Sequence, residues 1–330
     1  MCASKRSARP FIVTLLTAAM LAAACSSGGS TRPTPWPSGS GHDPVVAIAG
    51  DIETAGVQDA AGQTAAIIER LHPSAVLTVG DNQYNKGSQA AFEKYFAKTW
   101  GKFKNIIHPA PGHHEYYLDH SARGYFTYFG AAADNGAQPN CKASCEGYYS
   151  FDLGDWHLIA LNTNHYRTRP KAVCAFVACN ESSAQVAWLK ADLRANTKPC
   201  VLAYWSDPRY SSGTMHGSNP VIGPIWEALY AAHADLAVNG HEHMYERFAQ
   251  QNPRGEADRD GIREIVSGTG GNALYPIGPP LPNSQVAANK THGVLVVTLH
   301  PDSYSWRFMP VSGETFTDHG TAACNAKRSS

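Results

Sequence analysis

The strongest constraint on this chain is a repeated junction in which a short apolar run stops dead on glycine and a polar cluster. Val45-Val46-Ala47-Ile48-Ala49 runs into Gly50-Asp51, and Ala75-Val76-Leu77-Thr78-Val79 runs into Gly80-Asp81. Ile106-Ile107 leads through Pro109-Ala110-Pro111 to Gly112-His113-His114-Glu115. Residues 235–238 lead to Asn239-Gly240-His241-Glu242-His243. Uninterrupted apolar runs of this length read as strands buried on both faces. Glycine permits the tight turn that follows and lets backbone approach a ligand. In open α/β sheets, sites form beyond the carboxyl ends of such strands. Helical periodicity appears between the runs at 60–71, 88–99, 182–195 and 221–233, so the alternation predicts an α/β fold. Further candidate strands at 157–161, 201–205, 263–266 and 293–299 follow one another more directly towards the end, as antiparallel or mixed strands would.

The 330 residues allow one large domain or two ordinary ones, and 27 basic against 27 acidic residues exclude a global basic field for nucleic acid. Lys5, Arg6 and Arg9 precede an apolar run from Pro10 to Ala24, the pattern of an export signal over residues 1–24. The run is too short for a comfortable membrane span. Leu21-Ala22-Ala23-Ala24-Cys25 resembles a lipobox, which predicts lipidation of Cys25, with ordinary cleavage and secretion as the alternative. Residues 25–42, rich in Ser, Gly, Thr and Pro, read as a tether. One domain is expected over 43–324. Six cysteines remain beyond Cys25, an even number suited to an oxidising compartment. Spacing suggests Cys141–Cys145 and Cys174–Cys179 as loop clips, and Cys200–Cys324 as a tie from the C-terminal part to a core strand.

Singly, each polar cluster is ordinary turn chemistry; as an ordered set they are not. Carboxylates bridge cations, neutral imidazoles bind transition metals, and a phenolate suits a hard trivalent ion. Two cations close together clamp the attacking and leaving oxygens of a displacement at phosphorus. A neighbouring histidine then protonates the departing alkoxide.

The set resembles the calcineurin-like metallophosphoesterase superfamily, and its purple-acid-phosphatase-like branch through Asp81-x-x-Tyr84 and His241-Glu242-His243-Met244-Tyr245-Glu246-Arg247. The resemblance implies a four-layer αββα sandwich of two mixed β-sheets flanked by helices. It implies that Asp51, Asp81, Tyr84 and His243 hold one metal, with iron expected. Asp81 would bridge to a second metal, iron, zinc or manganese, served by His241 and the position of His113. His114 would be the catalytic proton donor, oriented by an acidic neighbour. The implied activity is hydrolysis of a small phosphoester.

Three positions depart from the resembling pattern. Glu53 stands where relatives carry a small residue or His, and either adds a ligand or points away. His113 replaces an asparagine. In Trp205-Ser206-Asp207-Pro208, Ser206 falls where a ligand histidine is expected. A neutral hydroxyl is a poor ligand beside imidazole. Asp207 and His216 are the candidate substitutes, and a chain of weakened activity on the same fold is the competing reading. Tyr116, Tyr117, Tyr125 and Tyr128 wall a pocket or pack in the core. Val186, Leu189 and Leu193 read as a core face. Gly268-Thr269-Gly270-Gly271 lacks the Gly-Lys-Ser/Thr of a phosphate loop.

Overall fold

The computed structural model describes residues 43–56, 60–134, 146–164 and 174–325. Among the described residues, thirteen strands and five α-helices follow in this order: β1 Val45–Ala49, α1 Ala60–Leu71, β2 Ala75–Val79, α2 Gln89–Lys94, β3 Ile107–Ala110, α3 Arg123–Phe129, β4 Tyr149–Leu153, β5 Trp156–Ala160, α4 Ala184–Ala195, β6 Cys200–Trp205, α5 Gly223–Ala231, β7 Leu236–Asn239, β8 Tyr245–Phe248, β9 Arg263–Ser267, β10 Ser284–Ala288, β11 Gly293–Leu299, β12 Ser303–Pro310 and β13 His319–Ala323.

They form two mixed sheets. One has the order β13-β12-β11-β1-β2-β3, the other β10-β8-β9-β7-β6-β5-β4. The strands that end on the polar clusters pair in parallel: β1 with β2 and β2 with β3 in the first sheet, and β5-β6-β7-β9 in the second. The remaining neighbours are antiparallel.

Three apolar clusters fill the spaces between four layers. The middle one packs the sheets face to face through Val46, Ile48 and Leu77 on one side and Leu158, Leu202 and Val238 on the other. A second joins α1, α2 and α3 to the first sheet, with Ile68, Phe92 and Phe126. The third seats α4 and α5 on the second sheet through Val186, Leu189 and Trp226. The core face expected on α4 is thus in place, and the architecture is the expected αββα sandwich. Tyr116, Tyr125 and Tyr128 belong to the second cluster and are core rather than pocket wall.

Local chemistry fixes several boundaries. Ser88 and Ser183 accept N–H bonds at the starts of α2 and α4, as N-cap hydroxyls do. The helix expected over 88–99 stops at Lys94. Phe96 donates its N–H to Gln83 Oε1 at 3.2 Å instead of to the preceding helical turn, and short 3₁₀ turns follow. Cys174–Cys179 and Cys200–Cys324 are disulfides, so the sulfurs beside Asp235 are not free thiolates for a metal. Cys141 and Cys145 lie outside the described residues. Among the described residues, no helix is long and apolar enough to cross a membrane.

Candidate metal centre

The carboxyl ends of parallel strands from both sheets converge on one place. Gly50 donates its N–H to Ser267 O across the sheets at 3.0 Å, and Gly240 donates to Ser206 O at 2.9 Å. Close packing there demands glycine. A Cβ on Gly112 would lie 2.2 Å from Asp81 Oδ1, and one on Gly268 would lie 2.7 Å from Asp51 Oδ2. Asp51, Asp81 and His241 themselves sit at positive φ, 58°, 47° and 69°, in the region that disfavours side chains. All three carry chemistry, so the turns keep these side chains where glycine would be more comfortable.

Asp51, Tyr84 and His243 meet on one side. Tyr84 donates its hydroxyl to Asp51 Oδ1 at 2.7 Å and lies 3.1 Å from His243 Nε2 and 3.4 Å from Asp81 Oδ2. His243 Nε2 is also 3.1 Å from Asp51 Oδ1. The other nitrogen, Nδ1, is 2.7 Å from the Ala273 carbonyl, which can only accept, so it carries the proton. Nε2 therefore points a lone pair at two oxygens. A single phenolic proton is shared among three acceptor atoms, a donor set suited to a cation. Asp51 Oδ2 accepts the His241 N–H at 2.8 Å, and the Tyr275 ring stacks on His243 at 3.7 Å.

Asp81, His113 and His241 meet on the other side, their candidate ligand atoms all within 4.8 Å of one another. His113 Nδ1 is 2.9 Å and His241 Nδ1 3.9 Å from Asp81 Oδ2. Asp81 Oδ1 accepts the His114 N–H at 2.9 Å. Burial works against charge on Asp81, but His113 and His114 hold its carboxyl well below the usual carboxylate range. Burial likewise pushes His113 well below the ordinary imidazole value, the neutral form a ligand needs. Ser206 is fully buried beside Gly80, and its Oγ has no hydrogen-bond partner among the described residues.

The substitutes and departures divide clearly. Glu53 turns away: its oxygens accept from Gly56 N at 3.2 Å and Thr99 Oγ1 at 3.0 Å. Asp207 Oδ1 is 3.6 Å from His241 Nε2, on the far side of that ring from Asp81. His216 lies on an exposed loop, yet its ring is 3.9 Å from that of His241. Glu242 holds it there, with Oε1 accepting the N–H groups of His216 and Gly217 at 2.5 Å each. That role was missed in the sequence, although Glu242 stands between the two histidines.

His114 is oriented differently from the expectation. Its Nδ1 is 2.8 Å from the Asn85 carbonyl rather than held by a carboxylate. The acidic neighbour Glu115 instead accepts N–H groups from Gly112, Asn82 and Gln83, at 2.7, 2.9 and 3.2 Å. Main-chain donors spread over two loops were within its reach, so it ties the loops together; burial and Asp81 push its carboxyl up to about 8. Burial also lowers the His114 pKa. Tyr117, close to the rings of His113 and His114 at 5.0 and 4.6 Å, is the one tyrosine of the expected four that lines the site.

Residues 44–245 match the family model described as calcineurin-like phosphoesterase. The chain belongs to that family. Within the phosphoesterases it falls in the purple-acid-phosphatase-like branch. It is 27% identical over 270 residues to purple acid phosphatase 15 of Arabidopsis thaliana, covering 73% of this chain and 47% of that protein. Acid phosphatase type 7 of Homo sapiens is 27% identical over 201 residues, covering 53% and 40%. The chain spans about half the length of such curated relatives. A purple acid phosphatase from yellow lupin (Lupinus luteus) shares the fold with a TM-score of 0.63 at 17% identity, over 85% of this chain and 54% of that one.

Proposed function

We propose that this phosphoesterase is a metal-dependent hydrolase of small phosphomonoesters or phosphodiesters, acting through a two-cation centre. Asp51, Tyr84, His243 and Asp81 would hold the first cation, iron by its phenolate and carboxylate set, and Asp81, His113 and His241 the second, iron, zinc or manganese. The observation that carries the reading is the place of Asp81, whose Oδ2 lies between Tyr84 at 3.4 Å and His113 at 2.9 Å. When bound, the pair supplies Lewis acidity toward a phosphoryl group. The chain supplies the rest. The Asn85 carbonyl accepts a hydrogen bond from the Nδ1–H of His114, which leaves Nε2 as the atom that can carry a second proton and release it to a leaving oxygen. Tyr117 and Tyr275 add aromatic surface beside the histidines.

A chain of weakened activity is the second reading, and the orphaned Ser206 hydroxyl favours it. One preparation separates the two. About two metal equivalents with turnover of p-nitrophenyl phosphate supports the hydrolase, and one or none without turnover supports the weakened chain. Export followed by lipidation at Cys25 completes the proposal, and the disulfides suit that compartment. Cys25→Ser is expected to release the protein from the membrane fraction or block its processing; normal processing with unchanged membrane retention rules the anchor out.

A further inference from the structure

Asp207 is a buried carboxylate beside the second cluster, and its position is fixed from three directions. Oδ2 accepts the Thr163 hydroxyl at 3.0 Å, the Asp207 N–H donates back to the same hydroxyl at 3.0 Å, and Oδ1 accepts from Asn219 Nδ2 at 3.3 Å. Ser206, its neighbour at the end of β6, packs the other way, against Gly80. The remaining face of Asp207 looks at the His241 ring. The two nitrogens of that ring are divided: Nδ1 faces Asp81 Oδ2 at 3.9 Å and Nε2 faces Asp207 Oδ1 at 3.6 Å. An imidazole coordinates through one nitrogen and fixes its tautomer with the other. The side that gathers Asp81 and His113 is the Nδ1 side.

We propose that Asp207 is a positioning residue that acts on the second cation site through His241, holding the proton on Nε2 so that Nδ1 presents its lone pair towards Asp81 and His113. It is then not a replacement ligand. A carboxylate behind the ring makes the imidazole a stronger donor and locks its orientation. In this chain that reinforcement stands directly after Ser206, where a ligand imidazole is missing, so one residue lost from the inner ring of donors is offset by a charge placed behind another. The proposal rests on the reading of this cluster as a cation site.

The test titrates the purified full chain with Mn(II) against a competing chelator. Wild type is expected to bind two equivalents. Asp207→Asn keeps the size but loses the charge, and one of the two oxygens that accept from Thr163 and Asn219 becomes an NH2 donor. It is expected to weaken the second equivalent roughly 10–100-fold while leaving the first unchanged, and Asp207→Glu is expected to recover part of the loss. Second-site affinity within twofold of wild type, or equal loss at both sites, overturns the proposal and leaves the two-cation reading standing. A wild type that binds one equivalent or none removes that reading, and the proposal with it. Should Asp207→Asn fail to fold, side-chain nitrogen NMR of the Zn(II)-loaded wild type decides. Protonation of His241 on Nε2 supports the assignment, and protonation on Nδ1 overturns it.

Discussion

Around Asp51, Tyr84 and His243 the donor atoms stand within 3.1 Å of one another, whereas around Asp81 and His241 the spacing opens to 3.9 Å and Ser206 Oγ stands alone. The tight half is braced by main chain. The Ala273 carbonyl fixes His243, and the His241 N–H fixes Asp51. The open half has side-chain braces besides the His114 N–H that holds Asp81, with Asp207 behind His241 and Glu242 under the His216 loop. Main-chain bracing comes with the fold and tolerates sequence change. Side-chain bracing must be supplied residue by residue.

The largest expected effect removes the residue that both halves share. Asp81→Asn is expected to lower hydrolysis about 10³-fold or more, equivalent to about 4 kcal/mol, with loss of bound metal and a normal circular dichroism spectrum. Wild-type turnover in that variant would remove the assignment of the centre.

Next comes the exchange that tests whether His113 compensates for Ser206. His113→Asn alone is expected to cost the open half roughly 100-fold in metal affinity, as for a lost ligand. Pairing it with Ser206→His is expected to restore affinity to within about tenfold of wild type, the coupling expected of residues that share one site. Additive losses in the double variant would show that the two positions do not share a ligand role.

Tyr84→Phe is expected to weaken only the tight half, by roughly tenfold, because a phenolate oxygen is lost while Asp51 and His243 stay braced. Equal weakening of both equivalents in the chelator titration would break the division into halves. Glu53→Gln is expected to leave both affinities within about twofold and to cost stability about 1 kcal/mol through its bonds to Gly56 and Thr99, read from the urea midpoint.

The smallest effect lies outside both halves. His157 is clamped between Asp152 and Asp192 at 2.8 Å on each nitrogen. Burial opposes its charge, but the two carboxylates raise its pKa. A raised histidine contributes stability that is complete below the unfolded value of about 6.5 and is lost as pH rises through the folded one. The urea midpoint of wild type is therefore expected to fall towards that of His157→Gln with rising pH, equally with and without metal. A gap between the two proteins that is unchanged across that range would refute the clamp.

The parts of the molecule legible in the sequence were those written in consecutive residues. Apolar runs mark β1, β2, β5, β6, β7 and β11, because strands covered on both faces need few polar positions; β9, with Arg263 and Glu264, is buried without such a run. Strands such as β12, whose burial alternates along Ser303–Pro310, escaped that reading because they have no continuous run. At the site, each turn announced its own polar residue, and the resemblance supplied the grouping. Contacts between distant turns were not legible. Nothing in the sequence places Asp207 behind His241, turns Glu53 to Thr99, or turns Glu115 from His114 to the N–H groups of Gly112, Asn82 and Gln83. These depend on which side chain reaches which loop, and that is decided only when the two sheets close.

The left-handed backbone at Asp51, Asp81 and His241 has a consequence for the economy of the fold. Each such non-glycine residue costs about 1–2 kcal/mol, so three together cost about 3–6 kcal/mol against a stability margin of about 5–15 kcal/mol for an ordinary domain. Three of the polar residues gathered at the candidate centre therefore sit in turns that glycine would occupy with less strain. Selection for robustness alone would turn these turns to glycine and silence the centre. Cation binding at these turns would offset that cost, with unfolding and emptying as two views of one equilibrium.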